Sequence, residues 1–239
     1  MMKTLSITAI DALNYNPTIN ALYRTIDVIT NLKYGHDFVL ESIKWFSDID
    51  FPDDGTYGEG LCDWTKINRF KKYTEDYNYV CLHLMPHVVT ADFNLIIHPD
   101  GFAVNSEAWT NEFFDYDYIG AQWKDGYVGN GGFSLRSRKL YDALLDIKPP
   151  VRAKDYPKPI LQDSHNFVID NTGEYVIPED NIICKIYKDL LETKYGIKFA
   201  PAALADRFSI EHNMGSSWVG KSFGFHGKHG IAEKYGVIL

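Results

Sequence analysis

A run of backbone-permissive residues, Gly129-Asn130-Gly131-Gly132, most restricts how this chain can fold. It leads into Phe133-Ser134-Leu135, whose alternating apolar and polar residues predict a β-strand. Glycine is needed where φ is positive or where a backbone approaches another group too closely for a β-carbon. The run therefore predicts a strand that lines a ligand cleft, although a glycine-rich turn without chemistry fits the same residues. It is not a phosphate-binding P-loop, because that motif leads into a helix and contains Gly-Lys-Ser/Thr.

The composition predicts one globular domain over residues 1–239 and argues against one class of partner. The chain has 239 residues, 45% of them apolar, which suffices for an α/β domain with a sizeable core. Its net charge is −8 and it has no polybasic run. Binding to a nucleic-acid backbone is therefore not expected.

Neither a membrane span nor a disulfide framework is expected. No apolar run approaches the roughly 18 residues that a transmembrane helix needs. The first residues are too poor in apolar side chains for a secretory signal. Cys62, Cys81 and Cys184 are odd in number and show no C-x-x-C spacing, which argues against a thiolate zinc site and fits a reducing compartment. We therefore expect a cytoplasmic protein.

The N-terminal part of the chain predicts a β-α-β-α-β order. Strands are predicted at Leu5–Ile10, Ile43–Phe46 and Phe93–Ile97, with a helix before each of the last two. We expect the second helix to end at Pro86, and the acidic segment 50–60 to form a loop. This order is typical of a parallel sheet with helices on its faces, in which ligands bind beyond the carboxyl ends of the strands. The candidates there for contacts to a nucleotide base and ribose are Thr8, Asp11, Ser47 and Asp48.

A turn signal, His98-Pro99-Asp100-Gly101, follows the third of these strands. A carboxylate fixed there could hold a divalent cation that binds a diphosphate, since Mg²⁺ and Mn²⁺ commonly take one or two carboxylates together with phosphate oxygens. An ordinary β-turn explains the same residues, because Pro-Asp-Gly is close to an ideal turn sequence.

An acidic pair, Glu179-Asp180, opens the last long predicted helix, which extends to about Tyr195. One carboxylate could act as a general base on an acceptor hydroxyl while its neighbour hydrogen-bonds the acceptor. Acidic residues in a first helical turn are also explained by the helix dipole alone, and that dipole is expected to keep Asp180 ionised. Later in the chain, His226 lies between glycine and aromatic residues, in a loop that could offer an imidazole to a metal.

Taken in order, these motifs resemble those of an uncharacterised family of glycosyltransferase-like domains found in viruses and bacteria. The resemblance extends from about Leu5 to Gly227. The segments that carry it are Ile96 to Gly101, Asp117 to Trp123, Val128 to Arg138, Glu179-Asp180, Phe208 to Glu211 and Phe223 to Gly227. It implies a GT-A-like α/β fold, with a mostly parallel central sheet, helices on both faces and a single domain.

The resemblance also implies a metal site and a base. Asp100 and His226 would ligate Mn²⁺ or Mg²⁺. Asp180 would be the catalytic base, and Glu179 would orient the acceptor. The related transferases usually have Asp-x-Asp at the metal site, whereas His98 takes the first position here, so only Asp100 of that motif is retained.

The remaining implied roles concern the sugar. Asn130, Gly131 and Gly132 would contact donor or acceptor, with both glycines letting the sugar approach the strand, and Trp123 would form an apolar wall for a sugar ring. The implied reaction is metal-dependent, inverting transfer of a sugar from a nucleoside-diphosphate donor to a glycan or other hydroxyl acceptor.

Three alternatives remain open at this stage. A retaining transferase would use the same metal site and would leave Asp180 as a helix cap. A catalytically silent module that binds sugars or nucleotides would explain the aromatic residues and the glycines. A nucleotidyltransferase would normally have a second metal carboxylate near Asp100, where the sequence has His98.

Overall fold

The computed structural model describes residues 2–33, 37–52, 62–162, 168–169, 173–227 and 230–239. Its strands are β1 (Lys3–Ile10), β2 (Phe38–Ser47), β3 (Cys62–Lys66), β4 (Phe93–Ile97), β5 (Gly101–Ala103), β6 (Tyr118–Ile119), β7 (Ser134–Ser137), β8 (Val168–Ile169), β9 (Tyr175–Val176), β10 (Ser209–Ile210) and β11 (Gly224–His226). Its α-helices are α1 (Tyr15–Thr30), α2 (Tyr73–Tyr79), α3 (Met85–Val88), α4 (Arg138–Ile147), α5 (Lys158–Gln162), α6 (Glu179–Asn181), α7 (Lys188–Tyr195), α8 (Ala202–Phe208) and α9 (Ile231–Lys234). π-Helical segments span Val80–Leu84 and Ile182–Ile186, and 3₁₀ helices span Ser106–Ala108, Asn111–Asp115 and Ala153–Asp155. Within the described ranges, no helix is both long and apolar enough to cross a membrane.

A six-stranded sheet with the order β3-β2-β1-β4-β7-β6 forms the centre of the described fold. The pairs β3–β2, β2–β1 and β1–β4 are parallel, whereas β4–β7 and β7–β6 are antiparallel. The sheet is therefore mixed, and the expected parallel pairing holds on the side from β3 to β4. The predicted strand Phe93–Ile97 is confirmed with the same bounds.

Helices pack on both faces of this sheet. Successive side chains of a strand point to opposite faces, so each face has its own core. In β4, Leu95 packs in one core with Leu22 of α1. The next residue, Ile96, packs in a second core with Leu144 of α4. The sheet is thus a buried central layer, and its carboxyl-terminal edge is where a ligand can reach polar groups.

The helical predictions hold in outline and differ at the ends. Pro86 does not end the second predicted helix, because the helical backbone runs on from the π-helical segment Val80–Leu84 through α3 to Val88. The predicted helix that begins at Glu179 is divided by the π-helical segment and ends at Gly196, whose φ of +62° favours glycine. β3 is not predicted by the sequence pattern, because this exposed edge strand lacks a clear alternation. Residues 53–60 of the predicted loop lie outside the described residues.

Thr8 and Ser47 are enclosed in the sheet and do not contact the cavity described below. Thr8 is 0% exposed, and its hydroxyl donates to Oδ1 of Asn94 at 2.7 Å. Ser47 is also 0% exposed, and its Oγ accepts from the backbone N–H of Ile49 at 3.3 Å. The assignment of both residues to donor binding is therefore corrected, since their polar atoms serve the sheet and the turn that follows it.

We predict that Thr8→Val destabilises the fold by about 1–3 kcal/mol, because it leaves the buried Oδ1 of Asn94 without its donor. The matched control is Thr90→Val, which removes an exposed hydrogen bond to Glu41 of 2.8 Å. Water can replace that bond, so the expected change is below about 0.5 kcal/mol. Urea unfolding measures both changes. Equal destabilisation by the two variants would contradict the structural role given to Thr8.

Candidate functional site

A cavity of about 540 Å³ lies beyond the carboxyl ends of β1 and β4. Its walls include the turn after β4, the glycine-rich run before β7 and the start of α6. This is the edge of the sheet at which α/β folds bind ligands. The predicted site residues that line it are Asp11, Asp100, Asn130, Gly131, Gly132, Glu179, Asp180 and His226.

Strand pairing brings His226 to Asp100 from a distant part of the chain. β11 is antiparallel to β5, and the register places His226 opposite Gly101. The backbone N–H of Gly227 also donates to the carbonyl of Asp100 at 2.8 Å. As a result, Nε2 of His226 lies 3.7 Å from Oδ1 of Asp100. The structure thus brings together the two side chains for which a common metal was expected.

His98 joins Asp100 and His226 in a cluster in which one ligand atom from each residue lies within 4.8 Å of the others. A β-carbon on Gly132 would overlap Nε2 of His226 and would lie 2.8 Å from Nδ1 of His98. Glycine is therefore required at this position for both imidazoles to approach the strand. From the sequence, His98 is expected only to replace the first acid of the Asp-x-Asp motif. Its residue type is the signal for membership of the cluster, because imidazole is a common metal ligand.

The other ring nitrogen of His226, Nδ1, has polar partners in the protein. Its Nδ1 lies 2.9 Å from Nδ2 of Asn130 and 3.2 Å from Oε1 of Glu211. Burial alone would lower the pKa of His226, but the hydrogen bond to Glu211 and the charge of Asp100 outweigh it and raise the pKa above its usual value. Burial and the charge of His226 lower the pKa of His98 to about 3, so His98 is neutral at physiological pH.

Asp180 lies at the acidic wall of the same cavity. Its Oδ2 accepts from the backbone N–H of Gly131 at 2.8 Å, and its Oδ1 accepts from the N–H of Asn181 at 2.7 Å. Burial and the charge of Glu179 raise the pKa of Asp180 to about 7, against the lowering effect of its two backbone hydrogen bonds and of Arg136. Desolvation therefore opposes the ionisation of Asp180 that the helix dipole is expected to favour. A carboxyl group with a pKa near the working pH is well suited to accept a proton.

Glu179 is fixed by a buried ion pair that the sequence does not reveal. Its Oε1 accepts from Nη2 of Arg136 at 2.5 Å, and these side chains are 3% and 0% exposed. Nε of Arg136 donates to Oγ of Ser134 at 3.0 Å, and that hydroxyl donates to the carbonyl of Gly131 at 3.2 Å. A β-carbon on Gly131 would overlap Oε1 of Glu179. Glu179 lines the cavity, but one of its carboxylate oxygens is bound to Arg136. The role predicted for Glu179 in orienting an acceptor stays a prediction.

Asp11 lines the cavity, but the chain itself uses its carboxylate. Oδ1 accepts from the backbone N–H groups of Leu13 at 2.8 Å and Asn14 at 2.9 Å, and Oδ2 accepts from the hydroxyl of Thr18. These bonds shape the loop that leads into α1. Asp11 therefore positions the cavity wall formed by Leu13 and Asn14.

Asp48 and Trp123 are not among the described residues that line the cavity. Oδ1 of Asp48 accepts from the hydroxyl of Tyr15 at 2.8 Å. Trp123 packs against Gly129, and Nζ of Lys185 lies 4.6 Å from the centre of its ring. The direct roles predicted for these two side chains in donor and sugar binding stay predictions.

Comparison with known proteins identifies a family and a distant likeness in fold. The family model described as "Protein of unknown function (DUF5672)" matches residues 65–226. This range includes the imidazole cluster, which is His98, Asp100 and His226, and the acidic wall, which is Glu179 and Asp180. No curated protein matches the sequence.

Two solved structures of the glycosyltransferase GlyE of Streptococcus pneumoniae TIGR4 are similar to this chain. The apo form is 13% identical with a TM-score of 0.45, and the match covers 86% of this chain and 46% of that one. The other structure is 11% identical with a TM-score of 0.47, and the match covers 94% of this chain and 54% of that one. The chain thus spans about half the length of these structures.

We predict that Glu179→Gln destabilises the protein by about 3–5 kcal/mol, because it leaves the buried charge of Arg136 without its counter-charge. The control is Asp142→Asn, which weakens the exposed ion pair with Arg138 of 2.7 Å and should change stability little. In the double variant Arg136→Met, Glu179→Leu, both charges are absent, and we expect it to be more stable than Glu179→Gln. Urea unfolding compares the variants, and wild-type stability of Glu179→Gln would show that the pair is not structural.

Proposed function

Because the chain belongs to the DUF5672 family, whose function is unknown, we propose its function from the site: it is a glycosyltransferase with a GT-A-type fold that moves a sugar from a nucleoside-diphosphate donor to a glycan or other hydroxyl acceptor. One observation carries the proposal. A single cavity holds a cluster suited to a divalent cation and, across the Gly131-Gly132 backbone, a carboxyl group suited to accept a proton.

The metal part of the proposal concerns Asp100 and His226. The carboxylate and the Nε2 atom face one another at 3.7 Å at the cavity wall, and this donor pair fits Mn²⁺ or Mg²⁺. When bound, such a cation offsets charge on the departing diphosphate, so that no protein acid is required on that side.

The donor is proposed to extend from this cluster toward the loop before α1. Leu13 is 44% exposed and Tyr73 is 51% exposed, and both line the cavity. They offer the apolar and aromatic surface that a base or a ribose can cover. Thr8, Ser47 and Asp48 are not among the lining residues of this cavity, which favours Leu13 and Tyr73 for these contacts.

The mechanistic part of the proposal concerns Asp180. An acceptor hydroxyl is a poor nucleophile at neutral pH and gains from losing its proton as the new bond forms. Each oxygen of Asp180 accepts one backbone N–H, which fixes the carboxylate while leaving lone pairs for the acceptor. Glu179 is fixed by its ion pair with Arg136, and its charge beside Asp180 raises the pKa of Asp180. The result is an inverting displacement at the anomeric carbon.

One observation favours a retaining transferase as the second candidate. The carboxylate of Asp180 lies in the first turn of α6 and accepts two backbone N–H groups, from Gly131 and Asn181, and a purely structural residue could also make these two bonds. In that case the same cavity would bind the donor, and the product would keep the anomeric configuration of the donor.

We predict that Asp180→Asn lowers turnover by about 10²–10⁴-fold and leaves donor binding unchanged, because the amide cannot accept the acceptor proton. Initial rates of nucleoside diphosphate release in the presence of acceptor measure the first quantity, and donor titration by calorimetry measures the second. Asp142→Asn is the matched control, since its carboxylate is 64% exposed on α4.

The pH dependence of the same reaction tests the role of Asp180 further. Only the ionised carboxylate accepts a proton, so kcat/KM should rise with pH up to about 7 and level off above it. The rising limb should be absent in Asp180→Asn. A near wild-type rate in that variant, or a product that retains the donor configuration, would leave Asp180 as a cap and favour the retaining candidate.

We predict that a nucleoside-diphosphate sugar raises the melting temperature and that Mn²⁺ increases the shift. A ligand at 100 times its Kd stabilises the folded state by about 2.7 kcal/mol. A screen of donors by thermal shift, with and without Mn²⁺, measures this effect. In Asp100→Asn the increment due to Mn²⁺ should shrink, whereas Asp142→Asn should behave like the wild type. The same shift for every donor with and without the cation would argue against a metal-assisted donor site.

A further inference from the structure

We propose that His98 is a third protein ligand of the divalent cation, and that the set His98, Asp100 and His226 selects Mn²⁺ and related transition-metal ions over Mg²⁺. This inference rests on the metal part of the proposed function. It adds a ligand that the Asp100–His226 pair does not include, and it names the class of cation that the site takes.

The three side chains are already arranged around a common point. Their ligand atoms lie within 4.8 Å of one another. Neighbouring ligands of an octahedral ion, each at ~2.1 Å from it, are ~3 Å apart. The 3.7 Å between Oδ1 of Asp100 and Nε2 of His226 is close to that spacing, so a small movement of these two side chains suffices to reach it.

His98 presents the nitrogen that a ligand needs. Its Nε2 lies 2.6 Å from the hydroxyl of Tyr77, and the two rings meet edge to face with centres 5.1 Å apart. Its other nitrogen, Nδ1, is directed at the space above Gly132. A metal-binding histidine typically has one ring nitrogen fixed by a hydrogen bond and the other turned to the ion.

His226 shows the same arrangement from the opposite side. Its Nδ1 is held by Asn130 and Glu211, and its Nε2 faces the space above Gly132. The two imidazole rings have centres 5.7 Å apart. In each of the two histidines, one ring nitrogen is hydrogen-bonded to the protein and the other faces the space above Gly132, near the carboxylate of Asp100. This arrangement is typical of a metal-ligand set.

The chemistry of this set determines which ion it prefers. Mg²⁺ takes oxygen ligands almost exclusively, whereas imidazole nitrogen suits the divalent transition metals. Two neutral imidazoles and one carboxylate also carry a single negative charge, which is weak compensation for a hard cation. His98 therefore moves the preference away from Mg²⁺, and Mn²⁺ is the most conservative transition-metal probe because it binds most weakly of the series.

The test is the affinity of the metal-free full chain for Mn²⁺ and for Mg²⁺, measured by calorimetry and, for Mn²⁺, by electron paramagnetic resonance. We expect wild type to bind Mn²⁺ at least ~10-fold more tightly than Mg²⁺, and His98→Ala to lose at least ~10-fold in Mn²⁺ affinity. His98→Asp supplies an oxygen ligand, so the ratio of the two affinities should move toward one. The control is His83→Ala, because Nε2 of His83 bonds the carbonyl of Pro149 and the ring lies outside the cavity.

A second variant keeps the test decisive if His98→Ala does not fold. Tyr77→Phe retains the ring and removes only the hydroxyl that holds His98, and it should lower Mn²⁺ affinity by ~10–100-fold. Unchanged Mn²⁺ affinity in this variant and in any folded His98 variant would overturn the inference and leave Asp100 and His226 as the proposed ligands. Equal binding of both ions by wild type would overturn the selectivity. Failure of wild type to bind any divalent cation would overturn the metal part of the proposed function as well.

Discussion

The absence of side chains at Gly131 and Gly132 is the constraint on which the rest of the cavity depends. A β-carbon on Gly132 would occupy the space where His98 and His226 meet, and one on Gly131 would overlap the carboxylate of Glu179. Both contacts are made by residues from distant parts of the chain, so neither can shift without moving a strand or a helix start. The two glycines therefore let the imidazoles of His98 and His226 and the carboxylate of Glu179 approach the same bend before β7.

A buried network couples this segment to the acidic wall. Arg136 binds Glu179 directly and supports the carbonyl of Gly131 through Ser134, while the N–H of Gly131 binds Asp180. Each interaction fixes the geometry of the next, and the charges act in opposite directions on Asp180. Burial and Glu179 raise its pKa and Arg136 lowers it, with a result of about 7. The ion pair thus serves both the stability of the wall and the protonation of the proposed base.

Sequence reasoning locates the parts of this site that are encoded by local patterns. The buried strand Phe93–Ile97, the turn at Asp100, the glycine-rich run and the acidic pair at the start of a helix all carry short-range signals, and the structure places them around one cavity. The position of His226 follows from the pairing of β11 with β5, which no local pattern encodes.

What the sequence pattern misses has a common physical cause. Arg136 and Glu211 act through partners far along the chain, so nothing next to them indicates a role. The pattern favours Thr8 for the site because it lies near the end of a predicted strand. However, Thr8 pairs with Ile96 and Lys44 within the sheet, whereas Ile10 and Asp11 at the end of β1 line the cavity.

In the proposed function, one cavity binds a metal–diphosphate unit on one side of the glycine segment and holds the sugar before Asp180 on the other. The decisive measurement is a crystal structure with Mn²⁺ and a nucleoside diphosphate, with data collected at the manganese absorption edge. We expect an anomalous peak ~2.1–2.3 Å from ligand atoms of Asp100 and His226, with the diphosphate bound to it and open space toward Asp180. A diphosphate bound elsewhere, or a peak away from both residues, would contradict it.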